Sequence, residues 1–233
     1  MRALVLVCAV ACLGSSAEAG VVKGVVRDGA GRPMADVKIT VEHTLFHASY
    51  VFGKTDAEGR YRVEVPSGSW KVHAQIVRDY HGQRLSFDLA SEEAGPFAGS
   101  DGATRNFTWK LAGERGEWGG GGHYGARLTL MRGDFDSWFE LHDLEVTLTP
   151  DGPLVDGSAG KTIVARPAEG SDLLEDIPVG RYTVTVRHVT GGPRPLRVRN
   201  RGEYGPRATV MFVSPFPESS RYGVELEVAS GSR

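Results

Sequence analysis

Val22-Lys23-Gly24-Val25-Val26-Arg27, then Asp28-Gly29-Ala30-Gly31-Arg32-Pro33, then Val37-Lys38-Ile39-Thr40-Val41-Glu42, then Thr55-Asp56-Ala57-Glu58-Gly59-Arg60-Tyr61: this stretch decides the fold. Val37, Ile39 and Val41 fall on one side of an extended chain and Lys38, Thr40 and Glu42 on the other, the period of two that a half-buried strand requires. The same rhythm returns at Tyr61, Val63 and Val65 against Arg60, Arg62 and Glu64, and at Trp70, Val72, Ala74 and Ile76 against Lys71, His73 and Gln75. The intervening Gly, Asp and Pro residues tolerate positive φ or fix φ, so each strand stops after a few residues. Short alternating strands between such turns describe an antiparallel β-sandwich. Runs at Arg84 to Leu89 and Thr104 to Leu111 bring the first unit to about seven strands.

Working outward, Gly113 to Gly125 interrupts the alternation. Gly119-Gly120-Gly121-Gly122 offers no side chains to pack, so residues 112–125 are expected to form a flexible Gly-rich linker. Alternation then resumes at Leu144, Val146 and Leu148, at Tyr182, Val184 and Val186, and at Val224, Leu226 and Val228. A second β-sandwich over residues 126–233 is expected to follow one over residues 20–111.

At the other end, Arg2, the apolar run Ala3 to Leu13 and Ala17-Glu18-Ala19 form the charged, apolar and small-x-small parts of an export signal, cleaved before Gly20. The apolar run falls short of the about 20 residues a spanning helix needs, so no membrane span is expected in the mature chain. Both cysteines, Cys8 and Cys12, lie in that leader. The mature chain therefore has no disulfide, although it enters a compartment that would permit one. Ala9-Val10-Ala11 before Cys12 does not match the leucine-led lipoprotein signal, so anchoring through Cys12 is not expected. The expected location is secreted or periplasmic. Removing 19 residues from 233 leaves 214, which suits two domains of about 100 residues. With 27 Lys and Arg against 29 Asp and Glu, nothing in the overall charge favours nucleic acid. Arg greatly outnumbers Lys, and Gly and Ala are abundant, a compositional bias that points to a GC-rich bacterial genome.

Val22 to Asp28 with Gly31-Arg32-Pro33, Val37-Lys38-Ile39, Thr55 to Tyr61, and Pro66-Ser67-Gly68-Ser69-Trp70 together resemble the carboxypeptidase regulatory-like domain, a transthyretin-like or prealbumin-like β-sandwich. The resemblance covers roughly residues 20–111. Leu148-Thr149-Pro150-Asp151-Gly152-Pro153-Leu154 and Leu174 to Val184 repeat its turn signatures more faintly, as a diverged second copy would. The resemblance implies a module that performs no chemistry in carboxypeptidases and serves elsewhere as a spacer, adhesive unit or glycan-binding fold, or as an accessory to a secreted hydrolase system. Some transthyretin-like proteins hydrolyse a purine-breakdown intermediate and end in Tyr-Arg-Gly-Ser. This chain ends Ala229-Ser230-Gly231-Ser232-Arg233, so that activity is not carried over.

For chemistry, the sequence offers no Gly-x-Ser-x-Gly elbow and no mature cysteine. The expectation is a non-enzymatic binding or structural module without a cofactor, whose partner is an envelope protein or polysaccharide. An enzyme would need His or carboxylate groups converging in a cleft between the two units. His43 and His47 would share one face of a continuous strand, with His73 and His81 in the same unit, but histidines in a core or loop are the expected reading. Asp134 to Asp143 concentrates carboxylates and aromatics without the Asp-x-Asp-x-Asp-Gly pattern of a calcium loop. Trp118, Tyr124, Trp138 and Phe139 are the candidate sugar-stacking aromatics, with core packing as their ordinary alternative. Arg197, Arg199 and Arg201 fall at period two and would form a basic ridge for an anionic ligand, a charged edge strand, or a partner for the acidic stretch at 134–156.

Overall fold

The computed structural model describes residues 19–116, 121–133, 138–214 and 219–230. Residues 1–18, with both cysteines and most of the stretch expected to be an export leader, lie outside them. Among the described residues no helix is long and apolar enough to cross a membrane.

The first half supplies β1 (Gly20–Arg27), β2 (Lys38–His43), β3 (Tyr50–Lys54), β4 (Arg60–Val65), β5 (Ser69–Tyr80), β6 (Gln83–Asp88), β7 (Ala90–Ser91), β8 (Phe97–Ala98), β9 (Ala103–Thr104) and β10 (Phe107–Thr108). They form two sheets, β4-β1-β10-β7 with β9 also on β1, and β3-β2-β5-β6 with β8 also on β5. The alternation sorts each strand's faces: Ile39 and Val41 of β2, Tyr61, Val63 and Val65 of β4, and Trp70, Val72, Ala74 and Ile76 of β5 are buried. Each fully buried aliphatic or aromatic side chain contributes about 1.5–3 kcal/mol of transfer free energy, and this is what fixes the strand register. A Cβ at Gly24 in β1 would collide with the Arg105 carbonyl, and the ring of Tyr61 covers the same spot. Tyr61 donates its hydroxyl to that carbonyl at 2.7 Å, and burial raises its pKa.

The second half supplies β11 (Ala126–Arg132), β12 (Leu144–Pro150), β13 (Ile163–Ala165), β14 (Leu173–Ile177), β15 (Arg181–His188), β16 (Gly192–Arg194), β17 (Leu196–Val198), β18 (Ala208–Met211) and β19 (Gly223–Val228). Its sheets run β14-β11-β19-β17 and β13-β12-β15-β16, with β18 also on β15. Apart from β9, which has no counterpart, this is the order of the first half. In both halves the opening strand pairs parallel with a late one, β1 with β10 and β11 with β19. The chain is thus an all-β protein of antiparallel β-sandwich architecture, with its opening strand paired parallel to β9 and β10 in the first half and β11 paired parallel to β19 in the second.

The strand expected over Thr104 to Leu111 is instead split into β9 and β10. Arg105 donates its N–H to the Lys23 carbonyl, while the Asn106 side-chain oxygen accepts the Val25 N–H at 3.0 Å. A side chain takes over one position of the ladder, and the backbone detours around it.

The flanks of the Gly run are held. Glu114 and His123 form an isolated bridge, and the Asp176 carboxylate accepts the N–H groups of Gly113 and Gly125. Arg115 is buried, donates to the His123 carbonyl at 3.0 Å, and reaches Asp88 at the end of β6 as well as the Ser220 hydroxyl and carbonyl. Its guanidinium stacks 4.6 Å from the Tyr124 ring centroid, and Ser220 also donates to Asp88. Nearby, the Tyr222 hydroxyl accepts the Ser86 N–H and donates to the Ser86 carbonyl, both at 2.7 Å. Tyr80 does the same between Pro153 and Arg181, at 2.8 and 3.0 Å. Three side chains thereby stitch the β5–β6 hairpin to the second half.

Candidate functional site

The sequence-expected aromatics disperse. Trp118 lies outside the described residues. Tyr124 is buried beneath Arg115, and burial raises its pKa. Phe139 is buried between the guanidinium groups of Arg132 and Arg194, 6.0 and 5.7 Å from its ring. Of the three described, Trp138 stands in solvent, 93% exposed.

Two of the three arginines of the expected basic ridge, Arg197 and Arg199, are ion-paired. β17 is the edge strand of its sheet and lies antiparallel to β19. Arg197 bonds Glu227 at 2.6 Å and stacks 4.4 Å from the Tyr204 ring, while Arg199 bonds Glu225 at 2.7 Å. The bond from Arg197, with a second from Tyr204, holds the Glu227 carboxyl below the usual carboxylate range. Arg201 lies beyond the strand's end and is exposed.

The histidines organise a loop. β2 ends at His43, so His47 is not on a shared strand face. His43 is buried, edge-on to Trp70 at 4.7 Å, and its Nδ1 accepts the N–H groups of Leu45 and Phe46. This turns the loop after β2 so that Leu45 and Phe46 project outward, Phe46 being 67% exposed. Among the described residues, no three His, Asp or Glu side chains are grouped so as to hold a metal ion.

That loop leads into an aromatic face that sequence reasoning passed over. On β3, Val51 and Gly53 oppose the inward Val41 and Ile39, so Tyr50, Phe52 and Lys54 point outward. Phe52 is 60% exposed, and the Tyr50 and Phe52 rings lie side by side with centroids 6.0 Å apart and planes 30° apart. Across the sheet, Phe52, Thr40 and His73 form one row and Tyr50, Glu42 and Lys71 the next. His73 lies 3.2 Å from Glu42, and Lys38 reaches over the Phe52 ring at 5.4 Å. The result is a flat surface with two aromatic rings at its edge and hydrogen-bonding side chains beside them. The signal was available: Lys54 is in phase with both aromatics, which marks their side as the solvent side.

No protein-family model matches the chain, and no curated protein matches it. Among solved structures it is similar to the Bacillus anthracis TIE protein, at 15% identity and a TM-score of 0.34 over 91% of this chain and 34% of that one. It is similar to a Streptococcal ancillary pilin at 10% identity and a TM-score of 0.29, over 94% of this chain and 64% of that one. It is also similar to the minor pilin of Streptococcus agalactiae at 10% identity and a TM-score of 0.28, over 92% and 97%. The chain spans about a third of the first of these proteins and less than two thirds of the second. At these scores nothing about function is carried over from them.

Proposed function

We propose that this chain is an exported, non-enzymatic binding module of a bacterial cell envelope, built from two tandem sandwiches at residues 20–111 and 126–233, the first of the carboxypeptidase regulatory-like type. Its contact is made through the outer face of the β3-β2-β5 sheet, and its ligand is a polysaccharide. The observation that carries this reading is the Tyr50–Phe52 pair. Two large rings kept in water on a rigid strand cost hydration free energy that burial against a ligand recovers. Rings side by side suit consecutive sugar rings, whose C–H faces stack on aromatics while Glu42, His73 and Lys38 meet the hydroxyls. Export rests on the leader read in residues 1–19.

The test is retention of the purified chain by a panel of soluble envelope polysaccharides, with Tyr50→Ala and Phe52→Ala beside the native protein. Both side chains are exposed, so both variants fold; each weakens retention about tenfold or more, and unchanged retention in both would defeat the reading. A protein partner adding a strand to β3 is the second reading, favoured because β3 ends its sheet. It predicts no polysaccharide retention at all.

A further inference from the structure

In the second half, β17 stops at Val198 and β18 stops at Met211, on different sheets, and a groove opens between their ends. It has two lobes of about 480 and 560 Å³ that share Val198, Arg201, Met211, Val213 and Val224. Each lobe falls in the range of about 300–1,000 Å³ typical of small-molecule sites. The shared floor is apolar, and Val213 on it is left exposed. The rim is cationic. Arg199 is matched by Glu225 at 2.7 Å, Arg127 by Glu175 at 3.1 Å and Arg181 by Asp151 at 2.8 Å. Arg201 and Arg207 are exposed on the rim and form no ion pair among the described residues, and the acidic side chain beside them is Glu203. An apolar trough under a surplus of guanidinium groups matches one kind of ligand.

We propose that this groove binds a monomeric anionic amphiphile, a single acyl chain with a carboxylate or phosphate head. The chain lies along Val198, Met211, Val213 and Val224, and the head accepts charge-assisted hydrogen bonds from Arg201 and Arg207. This site is independent of the aromatic face on the first half.

The experiment is calorimetric titration of the purified full chain with octanoate, decanoate, dodecanoate and dodecyl phosphate below their micelle concentrations. Inorganic phosphate, heparin and dodecyl maltoside serve as controls, as do vesicles containing anionic lipid. The expected result is one-to-one binding that tightens roughly fourfold for each methylene laid on the floor. Dodecyl maltoside and inorganic phosphate bind at least tenfold more weakly. Arg201→Gln with Arg207→Gln loosens dodecyl phosphate at least tenfold, and Val213→Glu, at an exposed position, does the same. Three results overturn the proposal: affinity independent of chain length, heparin binding as tightly as dodecyl phosphate, or vesicles bound without any binding of the monomers. Absence of heat with every acyl probe, confirmed by equilibrium dialysis, overturns it as well.

Discussion

The two halves share a strand order and differ in what they turn outward. Thr40 of β2 pairs with Phe52 on one side and His73 on the other, whereas the matching Thr147 of β12 pairs with Val164 and Thr185. One step along, Glu42 lies between Tyr50 and Lys71, while Thr149 of β12 faces Thr183. The inward positions stay aliphatic in both halves, with Ile39 and Val41 in one and Val146 and Leu148 in the other. Core positions are bound by packing density, and outward positions are not. What distinguishes the halves is therefore written on the outer face of one sheet and in the open edge of the other.

The largest test of this comparison sets two tryptophans against each other. Trp70 is buried, with its Nε1–H donated to the Pro66 carbonyl at 3.0 Å. Trp70→Ala is expected to cost about 3–5 kcal/mol, and Trp138→Ala about 0.5 kcal/mol or less; chemical denaturation measures both. Next comes the junction. Tyr222→Phe removes a hydroxyl that satisfies the N–H and carbonyl of buried Ser86, and leaving them unpaired costs about 2 kcal/mol. Calorimetry is expected to show a single unfolding transition in the native chain and two in this variant; a single unaltered transition would mean that the halves are coupled elsewhere.

Alternation in β2, β4, β5, β12, β15 and β19 made the strands legible, because burial on one face leaves a period of two. It could not reveal which strands pair, so the parallel closure of β1 on β10 and β11 on β19 was hidden, as was the break at Asn106, where an amide side chain enters the ladder. Arg115 could not be read as buried from its place in a Gly-rich stretch, since only the fold brings Asp88 and Ser220 to it. Arg197 and Arg199 were legible as a one-sided row, but their carboxylate partners lie on a strand 26 or more residues away. Tyr50 and Phe52 were missed because alternating aromatics ordinarily mark a core face.

A smaller effect separates the halves by pH. Glu227 titrates lower in the folded chain than unfolded, because Arg197 and Tyr204 favour its charged form. Its contribution is therefore fully present above the ordinary carboxylate range and fades as pH falls through its depressed pKa. Thermal unfolding of Glu227→Gln is expected below that of the native chain at neutral pH, and the gap should narrow as pH falls through and below the ordinary carboxylate range. The smallest effect is at Val164, 58% exposed where the first half has Phe52. Val164→Phe should shift stability by about 0.5 kcal/mol or less.

The most direct measurement is backbone hydrogen exchange of the full chain with and without the polysaccharide that retains it best. The account predicts added protection across Lys38–Lys54 and the facing part of β5, with β12 and β13 unchanged. Protection confined to the second half, or none in the first sheet, would contradict it.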